Sequence, residues 1–349
     1  MKNITVFAVL VTIIFLFTVR NPCFGQENEN LADNIENLTM NNEDEGEDEK
    51  PAPKTKRYGF TLSPQFGFIY GQSAEIVYPT STKGEYLSEL LWDLKPVPYG
   101  GIQFEIWLKD TSKIGFFSSL SFKAGIPRDS GIMEDRDWMS NKDGSLTHYS
   151  KHTNKTKEFF MADANFGISI PVKFFNIKPF LSVSWMHFSF SGKDGYGIYA
   201  RKDNSNYYPI NDDPTVRSFS GEVIKYKQDW LYAAAGISFG INIINLILLD
   251  FSFQISPLTY CSAEDQHLTT KAIYYDYTGF GLYIEPGASV SINLNHVDIS
   301  LEFAYRHFRN TRGKTYQGYI NSSYIFLSPN ASGAGLSLMD TRFLFKIRI

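Results

Sequence analysis

The chain has 349 residues, of which 43% are hydrophobic, 16% aromatic and only 20% charged, and its formal net charge is −4. Such an aromatic composition excludes a disordered protein for most of the length. After the first twenty residues, no apolar run approaches the ~20 residues that a membrane-spanning helix needs. Because ten acidic residues fall within 26–49, residues 50–349 carry 31 basic and 27 acidic residues, a net charge of +4. This near-neutral body predicts no nucleic-acid partner.

The N-terminal segment predicts a secretory signal peptide over residues 1–25. An apolar run over 6–19 follows a lysine, and small residues surround the expected cleavage site after Gly25. A permanent anchor is the alternative, but the run is short for one, and lipidation of Cys23 is less favoured because the preceding Arg-Asn-Pro is a poor lead-in. Cleavage would leave Cys261 as the single cysteine, so no intramolecular disulfide is expected.

Residues 26–57 are predicted to form a disordered acidic linker. The segment is rich in Asn, Glu and Asp, ends near Pro51-Ala52-Pro53, and has too few apolar residues to form a core. Binding of a cationic partner or of calcium is a less favoured alternative to a plain solvated tail.

From Tyr58 onward, the main pattern has a period of two, which is typical of β-strands. Over 297–306 one face carries Val, Ile, Leu, Phe and Tyr, and the other carries Asp, Ser, Glu, Ala and Arg. A soluble sandwich could alternate in this way with its apolar face inward. Ten strands are predicted, near residues 58–71, 87–108, 112–127, 155–173, 177–191, 221–240, 245–260, 271–292, 296–309 and 334–349.

Export, alternation and an apolar C-terminus favour an all-β fold over 58–349, a ten-stranded antiparallel transmembrane β-barrel in the outer membrane. Short and long connections alternate, so every long loop is expected at one end, outside the cell. A barrel of this size fills its interior with side chains. The expected long loops are 72–86, 128–154, 192–220, 261–270 and 310–333. The expected ion-pair network in the lumen comprises Glu105, Lys123, Asp250, Glu302, Arg306 and Lys346.

Two short patterns in the outer loops are candidates for chemistry. Residues two apart on an extended strand share a face, so Asp135 would lie beside Asp137, and Asp265 beside His267. An Asp next to a His orients the imidazole as a general base for a water molecule, and two close carboxylates can share a proton. Each pattern alone also fits an ordinary solvated loop. Cys261 is interpreted as a small strand residue, not a nucleophile.

Several segments resemble the omptin family of outer-membrane endopeptidases, in the same order and spacing along residues 58–349. The most specific is 133–139, Met-Glu-Asp-Arg-Asp-Trp-Met. The other segments are Gly71 to Tyr78, Ser88 to Trp92, Ser150-Lys151-His152, Tyr226-Lys227-Gln228, Asp265-Gln266-His267 and Asn330 to Gly335.

The resemblance implies a ten-stranded barrel with an active site in a groove at the extracellular rim. It implies that Asp265 and His267 activate the attacking water, while Asp135 and Asp137 hold that water across the groove and stabilise the tetrahedral intermediate. It implies neither a covalent acyl-enzyme nor a metal or other cofactor. The expected partners are peptides or proteins with basic residues and outer-membrane lipid, and the barrel is expected to be a monomer.

Departures from the family pattern concern specificity and lipid binding. Omptins prefer basic residues, and Glu75 matches one acid of the pocket for the residue before the cut. The second expected acid is replaced by Ala263, with Glu264 pointing to the other side of the strand, and another groove acid falls near His148. The stretches that would bind lipopolysaccharide, 185–189 and 226–229, lack the expected arginines, so weak or absent dependence on that lipid is predicted. A catalytically silent barrel, an adhesin or structural protein, is the alternative function.

Overall fold

The computed structural model describes residues 58–349 except 80–85, 109–113, 140–143, 205, 245, 295 and 323–324. The predicted signal peptide and acidic linker lie outside the described residues. Within the described residues, no helix is long and apolar enough to cross a bilayer. The described strands are β1 (Tyr58–Val77), β2 (Ser88–Leu108), β3 (Gly115–Gly125), β4 (Arg128–Asp137), β5 (His148–Val172), β6 (Phe175–Tyr199), β7 (Lys202–Asp203), β8 (Asn206–Tyr207), β9 (Thr215–Ile244), β10 (Ile247–His267), β11 (Ala272–Gly279), β12 (Tyr283–Leu294), β13 (Val297–Phe308), β14 (Arg312–Tyr319) and β15 (Ile325–Arg348).

The long strands form a closed antiparallel barrel. Strand β2 pairs with β3 near one end and with β4 near the other, so β3 and β4 are two halves of one barrel strand. The same holds for β11 with β12, and for β13 with β14. Pairing of β1 with β15 closes the ring, while β7 and β8 form a separate small hairpin. Counted this way, ten strands form the barrel wall, which confirms the predicted number.

Apolar side chains cover the outside of the half that holds the C-terminus. On β1 the outward Phe66, Phe68 and Tyr70 are about half exposed, whereas the residues between them are buried. On β10 the outward apolar residues end at Leu258 and Tyr260. Strand β5 has 25 residues, which at ~3.3 Å per residue and ~45° tilt span roughly 60 Å, more than twice an apolar band of ~25 Å. Much of each long strand therefore stands beyond the apolar band.

The barrel interior is polar in the same half. Asp340 accepts hydrogen bonds from Lys123 at 2.6 Å and from Arg306 at 2.9 Å, and Arg342 pairs with Glu302 at 2.7 Å. Such charges are tolerated inside a protein because each has a partner of opposite sign. The predicted lumen residues that form ion pairs are Lys123, Asp250, Glu302, Arg306 and Lys346.

An aromatic layer seals the interior above these ion pairs. Trp92 stacks on Tyr226 with ring centroids 5.5 Å apart and planes 10° apart, and Trp230 packs on Phe308 at 4.5 Å. These side chains are buried, so apolar burial stabilises the middle of the barrel. Along β1, the inward residues pass from Gln65 through the apolar Ile69 to Ser73 and Glu75, which lie at the rim opposite Tyr58 and Ile349.

The expected long loops are mostly strand, which corrects the predicted strand ends. Residues 128–154 were expected as a loop, but β4 occupies 128–137 and β5 begins at His148. Beyond the apolar band, both faces of a strand contact water or polar groups, so the apolar alternation that marks strands inside the band disappears. Strands that extend past the membrane then look like polar loops in the sequence.

Candidate active site

The five predicted site residues lie on strands that rise past the apolar band, and not in loops as expected. Glu75 is on β1, Asp135 and Asp137 are on β4, and Asp265 and His267 are on β10. All are buried or half-buried. Because strand positions are fixed by cross-strand hydrogen bonds on both sides, the side chains are held more rigidly than loop side chains would be.

Asp265 and His267 form an ion pair. Nε2 of His267 lies 2.6 Å from Oδ2 of Asp265, and the side chain of Asp265 is 2% exposed while that of His267 is 32% exposed. The imidazole also packs edge-on against Tyr274, at 5.6 Å between ring centroids. The contact with Asp265 assigns the proton to Nε2 and leaves Nδ1 as the nitrogen that can accept a proton from a water molecule.

The charge of His267 depends on the carboxylates around it. Burial lowers the pKa of the imidazole, but Asp265, Asp135 and Asp137 outweigh burial and raise the pKa to about 9. Because Asp135 and Asp137 act on His267 from β4, the two predicted pairs share one electrostatic site. The carboxylates on β4 therefore favour the protonated form of His267 on β10.

Asp135 and Asp137 form a carboxylate pair near the end of β4. Burial raises the pKa of Asp135 well above its usual range, and the charge of Asp137 raises it further. Burial likewise raises the pKa of Asp137. Ser88 Oγ donates a hydrogen bond to Asp135 Oδ1 at 3.4 Å. Two carboxylates in one partly desolvated place hold a proton between them more readily than either would alone.

A bulge in β4 determines where this pair lies. The register between β4 and β5 shifts between Asp129 and Gly131, and Gly131 has φ +113°, where a Cβ would lie 2.7 Å from Oδ2 of Asp93. The same Asp93 oxygen accepts a hydrogen bond from the backbone N–H of Ile132 at 3.0 Å. The bulge bends β4, so the side chains that follow it point toward the cleft.

Gln228 connects β9 to β1 beside Glu75. Ser73 Oγ donates to Gln228 Oε1 at 2.7 Å, and Gln228 Nε2 donates to the carbonyl of Ala74 at 3.1 Å. Tyr226 and Trp230 also hydrogen-bond to this amide. One fully buried side chain from β9 thus reaches β1 across the barrel. The sequence matched this segment to the family but assigned no role to the residue.

Glu75 belongs to a group of buried acids close to the His–Asp pair. The sequence did not predict every member of this group. Burial and the charges of Asp265, Asp276 and Asp135 raise the pKa of Glu75 well above the usual range. Asp276, on β11, was missed. The short connection after His267 pairs that residue with Ala272, and counting back along this hairpin would have placed Asp276 opposite Ala263.

Of the other candidates, His148 lies next to a site residue, whereas Cys261 and Glu264 have no direct part in the site. Cys261 is a free cysteine buried in the aromatic core, and Glu264 points outward, where Lys227 pairs with it at 3.3 Å. His148 pairs in register with Asp137 and stands edge-on to Tyr207 at 4.7 Å. Among the described residues, no group of three or more His, Cys, Asp or Glu side chains is arranged to hold a metal ion.

Comparisons with known proteins identify the family and the fold of the chain. The model of the Omptin family matches residues 56–342. The plasminogen activator of Yersinia pestis is 25% identical over 295 residues, covering 82% of this chain and 87% of that protein. The crystal structure of the outer membrane protease OmpT from Escherichia coli matches with a TM-score of 0.73 at 19% identity, covering 86% of this chain and 99% of that one, so the two share a fold. Since the family model covers most of the sequence, the chain belongs to the omptin family of outer-membrane β-barrel proteases.

Proposed function

We propose that the protein is a cell-surface endopeptidase that hydrolyses peptide bonds next to Arg or Lys, using a water molecule activated by Asp265 and His267. The observation that carries the proposal is the pairing of a buried Asp265 with a partly exposed His267 at 2.6 Å, inside the electrostatic reach of Asp135 and Asp137. The placement of the cleft at the rim opposite the first described residue, Tyr58, and the C-terminal Ile349 supports an active site that faces the cell exterior.

In the proposed reaction, each of the four side chains either transfers a proton or stabilises a charge. His267 accepts a proton from water at Nδ1 as the water attacks the peptide carbonyl, and Asp265 stabilises the imidazolium that forms. Asp135 and Asp137 share a proton, so that one carboxyl orients the water while the other donates a hydrogen bond to the developing oxyanion. The imidazolium then protonates the leaving amine, and the two peptide products separate.

A peptide-cleavage profile tests the proposal. Refolded protein is incubated with a library of peptides that vary around a central bond, and the products are identified by mass. We expect cuts clustered beside Arg or Lys. A profile without any cleavage would instead support the silent adhesin or structural barrel.

Gly131→Ala is expected to reduce both activity and stability. The strained backbone and the clash with Asp93 together cost about 1–3 kcal/mol, and a shift of β4 near 1 Å would lower kcat/KM roughly 100-fold. The measurements are kcat/KM and the thermal unfolding midpoint. Gly144→Ala is the control, since φ is also positive there (+74°) but a Cβ meets nothing within 4 Å. Equal activity in the two variants would show that the bulge does not position the aspartates.

Activity is expected without added lipopolysaccharide. On the outer wall, His187 contacts Glu158 at 3.1 Å and Asp229 at 3.0 Å, and Lys227 pairs with Glu264 at 3.3 Å, so the basic groups that would face lipid phosphates already have carboxylate partners. Phosphates bind Arg and Lys, and carboxylates repel them. Rates in pure detergent should lie within about twofold of rates with lipopolysaccharide, because no phosphate site is completed by the lipid. Strict dependence on the lipid would refute this expectation.

A further inference from the structure

The residue opposite Ala263 is an acid. Ala263 on β10 pairs in register with Asp276 on β11, and both side chains are buried inside the barrel, Asp276 at 5% exposure. Directly opposed residues on antiparallel strands point to the same face with Cβ atoms about 4.5–5.5 Å apart. The carboxylate of Asp276 therefore enters the space beside the Ala263 methyl group, where the family pattern would place an acid on β10.

The acids around this space have oxygens without partners. Oε2 of Glu75, Oδ1 of Asp265 and Oδ1 of Asp276 are buried and accept no hydrogen bond. The hydroxyls of Thr315, in register with Asp276 on β14, and of Ser332 act on the Asp276 carboxyl and lower its pKa, but its Oδ1 has no donor. A buried acceptor without a donor is costly, and most native proteins avoid it. Three such oxygens around one space indicate that the donor comes from a bound molecule.

The acids around this space also indicate that the bound molecule carries a positive charge. Burial raises the pKa of Asp276 to about 7, and the charge of Asp265 contributes to the rise, while Asp265 and Asp276 both raise the pKa of Glu75. Neither Glu75 nor Asp276 is paired with a Lys or Arg in the described part of the chain. A guanidinium, with five donors in a planar fork, fits carboxylates approaching from two strands better than a single ammonium group does.

We propose that Asp276 is a specificity-determining residue, which with Glu75 binds the basic side chain of the substrate that precedes the cut. Strand β11 thus supplies the carboxylate that β10 lacks at Ala263. The inference rests on the proposed endopeptidase function and adds the residue that sets its preference, with Arg favoured over Lys.

The test uses peptides that differ only at the residue before the cut: Arg, Lys or citrulline, the neutral isostere of Arg. Wild type should favour Arg over citrulline strongly. Asp276→Asn should lower kcat/KM for the Arg peptide roughly 10- to 100-fold, as expected for losing a hydrogen bond to a charged group in a buried place. The loss should appear mainly in KM, and the citrulline rate should change little. Glu264→Gln is the matched control, because it removes an acid from the outer face of the same hairpin.

Two double variants distinguish a loss of specificity from a failure to fold. Ala263→Asp added to Asp276→Asn, or to Asp276→Ala, moves the carboxylate to the opposed strand position and should restore the Arg preference. If Asp276→Asn alone fails to fold, the Ala263→Asp, Asp276→Ala protein carries the same test. If wild type cuts none of the peptides, the endopeptidase proposal fails. If wild type favours Arg and Asp276→Asn favours it equally, Asp276 is not the specificity residue, and the endopeptidase proposal stands.

Discussion

His267→Ala is expected to lower kcat/KM by roughly 10³-fold or more, because a general base contributes about 10²–10⁴-fold and its loss also removes the charge that Asp265 stabilises. Asp265→Ala should cost nearly as much, since Nε2 of His267 would lose its 2.6 Å partner. The measurement is the rate on a peptide with an Arg before the cut. His307→Ala is the matched control, as that histidine is held on the barrel wall by Ser337 at 2.9 Å. Cleavage by His267→Ala at the parental rate would eliminate the proposed mechanism.

The dependence of kcat/KM on pH tests whether His267 acts as a base or only shapes the cleft. A base works when it is deprotonated, and the pKa of His267 is raised to about 9, so kcat/KM should increase as pH rises toward 9. Asp265→Asn removes a neighbour that raises this pKa, so its remaining activity should reach a plateau at lower pH. Identical profiles in the two proteins would indicate that another group controls the rate.

Asp340→Ala is expected to destabilise the barrel by about 3–5 kcal/mol, because it leaves the buried Lys123 without a carboxylate partner and removes one of the two carboxylates that bind Arg306. Lys123 and Arg306 both bind this carboxylate, at 2.6 and 2.9 Å, and Lys123 is completely buried. At roughly 2–4 °C per kcal/mol, the unfolding midpoint should fall by about 6–20 °C. Thermal unfolding followed by circular dichroism in detergent measures this change.

A surface pair provides the comparison for Asp340. Asp298 pairs with Arg348 at 2.6 Å, but the arginine side chain is 40% exposed, so Asp298→Ala should cost no more than ~1 kcal/mol. If both variants unfold at the same temperature as the parent, the buried network contributes little to stability.

The sequence could predict the wall of the barrel because lipid imposes a strict pattern on it. Phe66, Phe68 and Tyr70 alternate with buried residues, and that alternation revealed β1. Around Ser150, His152 and Asn154, which are buried, the residues between them are also polar. With no apolar face to the outside, this part of β5 was predicted as a loop.

The candidate site was predictable where its residues lie two apart on one strand. That spacing alone predicts that Asp265 lies beside His267, as it does in the structure. Asp276 could not be found in this way, because its relation to Ala263 depends on the register of a hairpin and not on a sequence motif. The bulge at Gly131 likewise has no local signal, since a positive φ is visible only in the folded chain.

The aromatic layer around Trp92, Tyr226 and Trp230 is completely buried and fills the middle of the barrel. A polypeptide can therefore approach the cleft only from the rim, and both fragments must depart on the side from which the intact chain arrived. The barrel would support the site and would not act as a channel. An enzyme that cuts at the rim would therefore have no access to substrates in the periplasm.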